Sequence, residues 1–152
     1  MTARKPRLHL SKSLFMRGLQ CPKSLYFDRY HPELRDEIAV SQERVVQSGT
    51  DVGMLARDLH QGGVEVPFAG LTVRRQLQRT AAEITRGTTT IYEAAFTHND
   101  VFVKVDILHK GTRGWELNEV KGTTAVKDVH VDDVALQYYV LAGAGIDLVK
   151  AS

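Results

Sequence analysis

The chain has 152 residues, of which 43% are hydrophobic and 25% are charged. This balance is typical of a single globular domain and excludes disordered, collagen-like and coiled-coil classes. No apolar run approaches the length of about 20 residues that a membrane-spanning helix needs, and the basic N-terminus lacks the apolar core of a secretory signal. We therefore expect a cytoplasmic protein with no membrane partner.

Positive charge is concentrated at the N-terminus. Residues 1–30 carry seven Lys and Arg residues against one Asp, a net charge of +6, although the whole chain carries only +2. A basic arm joined to an acidic body is typical of a polyanion-binding surface beside a site that holds carboxylates. A solvated basic tail explains the same charge pattern. The sequence thus predicts a basic helical arm, residues 1–40, and a core, residues 41–152.

The first half of the chain reads as helical. Ser11 is suited to cap one helix, Pro22 is suited to the first position of the next, and Gly87 is suited to end the last. A short strand is predicted at 63–66, where the chain leaves a glycine turn. Apolar residues at helical spacing predict four helices, at 12–19, 23–30, 41–59 and 71–86.

After residue 87 the pattern changes to runs rich in Thr, Ile, Val and aromatic residues, separated by polar loops. Three strands are predicted, at 88–96, 101–109 and 114–121, joined as an antiparallel meander. An amphipathic helix at 131–142 and a further strand at 146–149 complete the chain. The predicted fold class is therefore α/β, with a mixed sheet flanked by helices.

Two carboxylates and a lysine fall on neighbouring strands of this meander. Asp106 lies late in the second strand, and Glu119 and Lys121 lie at the end of the third, where alternation directs them to one face. Hairpin pairing can bring Asp106 and Glu119 together, and such an oxygen-rich site suits Mg²⁺ or Mn²⁺. The Lys121 ammonium beside them could orient a water and stabilise phosphoryl charge.

The same residues also have purely structural interpretations. A Glu-x-Lys on a strand is most often a solvated surface pair, and charged residues often decorate strand ends. Glu93, in the first strand of the meander, is a third candidate carboxylate, although it could instead pair with Arg79 or Lys104. Spacing alone therefore indicates a divalent-metal site without establishing one.

Three stretches together are more specific than each alone. LSKSLFMRGLQCPKSLYFDRY, VKVDILHKGTRGWELNEVKGTT and HVDDVALQYYVLAGAG follow one another along the chain. They resemble the PD-(D/E)XK nuclease superfamily, and most of all RecB-like nucleases and the CRISPR-associated, iron–sulfur-containing exonucleases. The resemblance spans nearly the whole chain and implies a restriction-endonuclease-like core. Its main signature is an Asp, twelve intervening residues and Glu-Val-Lys, followed by a helix with a glutamine.

The resemblance implies roles for individual residues. Asp106 and Glu119 would bind the divalent cation, with the carbonyl of Val120 completing the ligand shell. Lys121 would assist hydrolysis, and Gln137 would lie near the active site. A tyrosine of the family's helix motif would fall at Leu141, so that Tyr138 or Tyr139 would have to replace it. His60 is a further candidate ligand, for which an exposed position at a helix end is the simpler account.

The resemblance also implies ligands for an iron–sulfur cluster, of which this sequence contains only one. Cys21 matches the first cysteine of the iron–sulfur relatives, but the three other cysteines are absent. Four thiolates are the usual requirement, so we expect no iron–sulfur cluster in this chain. Cys21 is then either a buried small residue or an unpaired thiol. The sequence looks like the N-terminal nuclease core of a longer protein.

The resulting functional prediction is a Mg²⁺- or Mn²⁺-dependent deoxyribonuclease, acting from DNA ends or on single strands. Two alternatives stay open, a nucleic-acid-binding or assembly module with an incomplete nuclease site and an endonuclease of restriction type. The predicted partner is DNA. The sequence leaves open three further partners: a C-terminal region, other DNA-processing proteins and a second copy of the chain. Candidate nucleic-acid-binding residues are Lys12, Arg17, Lys23, Arg29 and Tyr138.

Overall fold

The structure, a computed structural model, describes residues 10–34 and 52–152. Its helices are α1 (Lys12–Gln20), α2 (Pro22–Tyr30), α3 (Val73–Arg86) and α4 (Asp128–Gly143), and its strands are β1 (Leu10–Ser11), β2 (Val64–Glu65), β3 (Thr90–His98), β4 (Val101–Lys110), β5 (Trp115–Asn118) and β6 (Leu148–Ala151). None of the helices in these two ranges combines the length and apolar character that crossing a lipid bilayer requires.

Local signals set most of these boundaries. Ser11 caps α1, because its hydroxyl accepts the Leu14 N–H at 3.3 Å. Gly87 ends α3 with a φ of +84°, a left-handed conformation that glycine adopts without strain. Asn99 and Asp100 join β3 to β4 with φ values of +47° and +61°, as a tight hairpin with a primed turn requires. These predictions from the sequence are confirmed.

The sheet is mixed, as predicted, and it is open. Its strands follow the order β2-β3-β4-β5-β6, in which β3, β4 and β5 form the antiparallel meander. β2 joins β3 in parallel, and β6 joins β5 in parallel. Helix α3 packs on β3, and α4 packs across β3 and β4. The structure is therefore α/β with helices flanking a mixed sheet.

One edge of β4 is shared by two short strands. β1 pairs in parallel with Val101 and Phe102, whereas β5 pairs in antiparallel fashion with residues 107–110. β1 is parallel to β4 and β5 is antiparallel to it, so the C-terminal ends of both short strands point toward residues 103–106 of β4. The sheet therefore has a gap on this edge, where the residues after β1 meet the residues after β5.

Several predicted boundaries were wrong. β5 stops at Asn118 instead of extending to residue 121, since the N–H of Val120 bonds to the side chain of Asp106 and not to the backbone of β4. α4 starts at Asp128, three residues early, because His130 Nδ1 accepts the Lys127 N–H and closes the first turn. β6 starts two residues late, because the Ile146 N–H still bonds to a carbonyl of α4.

Two further differences between prediction and structure concern β1 and the helix predicted over 41–59. β1 was not predicted, since two residues carry too short a pattern to register as a strand. The helix predicted over 41–59 lies mostly outside the described residues, as does the arm–core boundary at residue 40. Within the described part of that helix, residues 52–57 are helical and Asp58–His60 form a 3₁₀ turn.

The apolar core lies between the meander and its helices. The fully buried side chains include Val103 and Val105 of β4, Leu117 of β5, and Val140 and Leu141 of α4. Leu141 stands where the resemblance places a tyrosine, and its burial gives it a packing role instead.

Truncating this side chain tests the core. We expect Leu141→Ala to lower the free energy of unfolding by about 2–5 kcal/mol, because it removes buried methyl groups and leaves a cavity. Val131→Ala on the same helix removes an exposed side chain and should change that free energy by about 0.5 kcal/mol or less. Urea titration followed by circular dichroism measures both, and equal losses would contradict the packing described.

Candidate active site

The gap beside β4 gathers the polar residues that the sequence singled out. Asp106 lies on β4, and its Oδ2 accepts the N–H of Val120 at 2.7 Å. This bond turns the chain away from β4 directly after β5. Glu119 and Lys121 consequently both face α4, where Lys121 bonds to Asp133 and Glu119 to Gln137. Asp106, Glu119, Lys121 and Gln137 are thus brought to one place.

Glu119 is the centre of this cluster, and its side chain is only 3% exposed. Its Oε1 accepts hydrogen bonds from the ammonium groups of both Lys12 and Lys121. Its Oε2 accepts one from the side-chain amide of Gln137 at 2.8 Å. Such a buried carboxylate is stable only when it is paired and hydrogen-bonded, and Glu119 is both.

Asp133, on α4, is a member of the cluster that sequence reasoning missed. Its Oδ2 accepts from Lys121 at 2.7 Å, and its Oδ1 accepts from Gln137 at 2.8 Å. Lys12 lies 3.3 Å from the same Oδ1. A signal existed in the sequence, because Asp133 precedes Gln137 by four residues and therefore shares its helix face.

The charges of the cluster move the pKa values of its members apart. Burial, and then the charge of Glu119, raises the pKa of Asp106 to about 6, against the hydrogen bond from Val120. Burial would lower the pKa of Lys121, but its hydrogen bonds to Asp133 and Glu119 outweigh burial and raise it. Burial would raise the pKa of Asp133, but the hydrogen bond from Lys121 and the charge of Lys12 outweigh burial and lower this pKa. Lys121 is therefore held as an ammonium.

A cavity of about 610 Å³ opens on this cluster and is lined by Asp106, Glu119, Val120 and Lys121. Glu93 also lines it, across from Asp106 in the β3–β4 pairing, with a φ of +55°. A left-handed residue in a strand is strained unless it is glycine, and such strain is concentrated at functional sites.

Glu93 has partners of its own. Its carboxylate lies 3.2 Å from the ammonium of Lys104 and 3.8 Å from the guanidinium of Arg57. The expected structural role as an ion-pair partner of Lys104 is therefore present. Because Glu93 nevertheless lines the cavity, it stays a candidate ligand of the cation.

The oxygen atoms at the gap fit a hard divalent cation. Two carboxylates and the backbone carbonyl of Val120 are the ligand types that Mg²⁺ and Mn²⁺ prefer. The Lys12 ammonium already places a positive charge on Glu119 Oε1, so this carboxylate accepts a cationic partner. Among residues 10–34 and 52–152, no three His, Cys, Asp or Glu side chains form a ready metal-holding group. The gap supplies two side-chain carboxylates, on Asp106 and Glu119, and Val120 lines the same cavity.

The structure does not bring His60 to this cluster. His60 ends a 3₁₀ turn, and its ring lies against that of His109 with 4.8 Å between centroids. Burial, and then the neighbouring His109, lowers its pKa. Its carbonyl accepts the hydroxyl of Tyr92 at 2.6 Å, which fixes the turn to β3. We therefore leave His60 out of the cation site and assign it to packing.

The candidate nucleic-acid-binding residues divide into two groups. Lys12 belongs to the cluster, and Tyr138 lines a largely apolar cavity of about 760 Å³ that Glu119 and Lys121 also border. The others lie on the outer surface of α1 and α2. There Arg17 pairs with Asp28 at 3.5 Å, Lys23 lies over a phenylalanine ring, and Arg29 is exposed.

The aromatic residues and the cysteine of the arm also have defined places. Phe15 packs against the core, whereas Tyr26, Phe27 and Tyr30 stay exposed, with the ring of Tyr26 against the other two. Cys21, between α1 and α2, is an exposed free thiol, so the alternative of a buried small residue is wrong.

No family model, no curated protein and no solved structure matches the chain. Function is therefore inferred from the geometry of the cluster.

Neutralising Asp106 tests the electrostatics of the cluster. The pKa of this group rises from 3.8 to about 6 on folding, so its ionised form weakens the fold, fully above pH 6 and not at all well below pH 4. Asp106→Asn keeps the acceptor for Val120 and should add about 2 kcal/mol to the unfolding free energy at pH 8.

Urea titrations in EDTA at pH 4 and pH 8 measure this effect, with the exposed Asp132→Asn as control. The gain should shrink to near zero at pH 4. A gain of the same size at both pH values, or a loss at pH 8, would contradict the described environment of Asp106.

Proposed function

We propose that this chain is a divalent-metal-dependent nuclease that hydrolyses phosphodiester bonds of DNA. The observation that carries the proposal is the meeting of Asp106, Glu119 and Lys121 at the gap beside β4. These residue types in this order are the ones that the resemblance to PD-(D/E)XK nucleases implies. The mixed sheet with its meander supports a restriction-endonuclease-like core as part of the same proposal.

The cation would be held by Asp106, Glu119 and the carbonyl of Val120. When bound, Mg²⁺ or Mn²⁺ supplies Lewis-acid stabilisation of phosphoryl charge and makes a water molecule more acidic. Asp106 suits this role because burial, and then the charge of Glu119, raises its pKa and makes its ionised form costly. A divalent cation would remove that cost.

Lys121 has a more restricted role than a general base. Its two carboxylate partners raise its pKa, so that the amine keeps its proton at neutral pH. It can therefore donate hydrogen bonds and place positive charge where the phosphoryl oxygens become more negative. It cannot accept the proton of the attacking water, which must leave by the solvent or the phosphate.

Gln137 and Asp133 hold this arrangement from α4. Gln137 is fully buried, and its amide nitrogen bridges Glu119 and Asp133 at 2.8 Å each. Asp133 is a positioning residue, since it contacts Lys121 and not the cavity that Asp106 lines. Asp133 thus fixes the position of Lys121, and Gln137 fixes that of Glu119.

A second candidate function has its own support. Glu119 is bonded to two ammonium groups and an amide, and the described residues supply only two carboxylates directly at the gap. A nucleic-acid-binding or assembly module with an incomplete nuclease site would have the same arrangement. The distinguishing measurement is turnover, because such a module binds DNA without cleaving it.

The direct test is the release of nucleotides from labelled single-stranded and duplex DNA with Mn²⁺. We expect Asp106→Asn, Glu119→Gln and Lys121→Met each to lower kcat by about 100-fold or more, because each removes charge that acts on the reacting phosphate. EDTA should abolish the activity of the parent protein. Closed circular DNA should resist cleavage if digestion begins at ends.

Binding of the same DNA, followed by fluorescence anisotropy, separates the two functions. DNA binding without cleavage in the parent protein would favour the incomplete module. Cleavage that survives in both Asp106→Asn and Glu119→Gln would rule out this site as its source.

Adjacent aspartates on α4 provide a matched pair. Asp133→Asn should lower kcat by about tenfold or more, because Lys121 loses the partner that orients it, whereas KM should change little. Asp132→Asn removes the same charge one residue away on the exposed face and should leave kcat unchanged. The optimum pH of the Asp133 variant should also fall, since Lys121 would lose its proton more readily. Equal effects of the two substitutions would contradict the positioning role.

A further inference from the structure

Lys12 reaches the cluster from the N-terminal arm. It is the first residue of α1, and its Nζ lies 2.8 Å from Glu119 Oε1 and 3.3 Å from Asp133 Oδ1. Topology explains this contact between residues 107 positions apart. β1 ends on the same edge of β4 where β5 ends, so the first side chain after β1 meets the first side chain after β5.

The ammonium of Lys12 and a divalent cation at Glu119 would compete for the same oxygen. Lys12 and Lys121 already share this oxygen, so a divalent cation would bring a third positively charged group to it. The added repulsion in a largely buried site favours the departure of one ammonium. Lys121 has a second, short contact to Asp133 Oδ2, whereas the second contact of Lys12 to that residue is longer. Lys12 is therefore the more weakly held of the two ammonium groups.

Lys12 has room to move without moving α1. A cavity of about 350 Å³ adjoins its side chain and is lined by Ser13, Met16 and His130 in addition to the two lysines. A lysine carries its charge on a flexible four-carbon stem, so the ammonium can change partner by rotations of the side chain alone. The ammonium would then point outward beside Lys121, where it could meet a phosphate.

We propose that Lys12 is a displaceable phosphate-binding lysine. It pairs with Glu119 in the cation-free protein, and it transfers to a backbone phosphate of the nucleic acid when a divalent cation binds at Glu119. This inference rests on the proposed function. Its consequence is reciprocal coupling, since each ligand removes Lys12 from the position that opposes the other.

Cation binding without DNA tests the first half of the proposal. Lys12→Met keeps the apolar stem and removes the competing charge, so the Kd for Mn²⁺ should fall about tenfold by calorimetry or electron paramagnetic resonance. Lys110→Met removes the same charge from the far end of β4, where Lys110 is exposed over the ring of Trp115 and forms no ion pair with the described residues, and should leave that Kd unchanged.

DNA binding with and without a cation tests the second half. Affinity for a labelled single strand is measured by anisotropy, with Ca²⁺ in place of Mn²⁺ and with electrophoresis to verify that the strand stays intact. Cation should strengthen binding in the parent protein and in Lys110→Met by the same factor. In Lys12→Met that enhancement should be smaller, because the cation still contacts the phosphate but Lys12 no longer adds its charge.

The outcomes separate this inference from the function on which it rests. Equal or weaker Mn²⁺ binding by Lys12→Met, or an undiminished enhancement of DNA binding, overturns the role of Lys12 and leaves the cation site standing. If neither the parent protein nor Lys12→Met binds Mn²⁺, the cation site itself is wrong, and the inference is overturned together with it.

Discussion

The hydrogen bond from the N–H of Val120 to Asp106 Oδ2 is the contact on which the candidate site depends. A backbone amide at this position would ordinarily continue the ladder between β5 and β4. Because the carboxylate takes it, the pairing stops at Asn118 and the chain turns toward α4. The same interaction holds Asp106 beside Glu119. One bond therefore ends the strand, opens the gap in the sheet and places the two acids together.

Charge compensation explains why the cluster is stable with so little exposure. Three carboxylates, on Asp106, Glu119 and Asp133, face two ammonium groups, on Lys12 and Lys121. Glu119 and Asp133 are nearly buried, and a buried carboxylate without a partner would weaken the fold strongly. One negative charge remains, and once Lys12 leaves Glu119 there are two, which is the charge that a divalent cation would neutralise. The arrangement thus serves folding and cation binding through the same contacts.

Local signals in the sequence were enough for most of the fold. The cap at Ser11, the left-handed Gly87 and the Asn99-Asp100 turn each act within a few residues, so a linear reading detects them. The meander followed from alternation and two polar loops. The end of β5 could not be predicted this way, because it depends on a side chain 14 residues away in sequence.

The candidate site was predictable in part for the same reason. Asp106, Glu119 and Lys121 were identified from strand alternation and hairpin pairing, and Gln137 from the resemblance alone. The structure brings all four together. The ion pairs of Lys12 depend on β1, a strand of two residues that leaves almost no pattern. His60 was proposed because it is the one histidine in its region, although nothing in the sequence indicated that its ring would lie on His109.

The most direct measurement is the anomalous X-ray scattering of crystals soaked in Mn²⁺. We expect one strong peak between the carboxylates of Asp106 and Glu119, beside Val120, and its disappearance in Asp106→Asn. A peak elsewhere in the molecule, with these two side chains still bonded as described, would show that the two acids do not form the cation site.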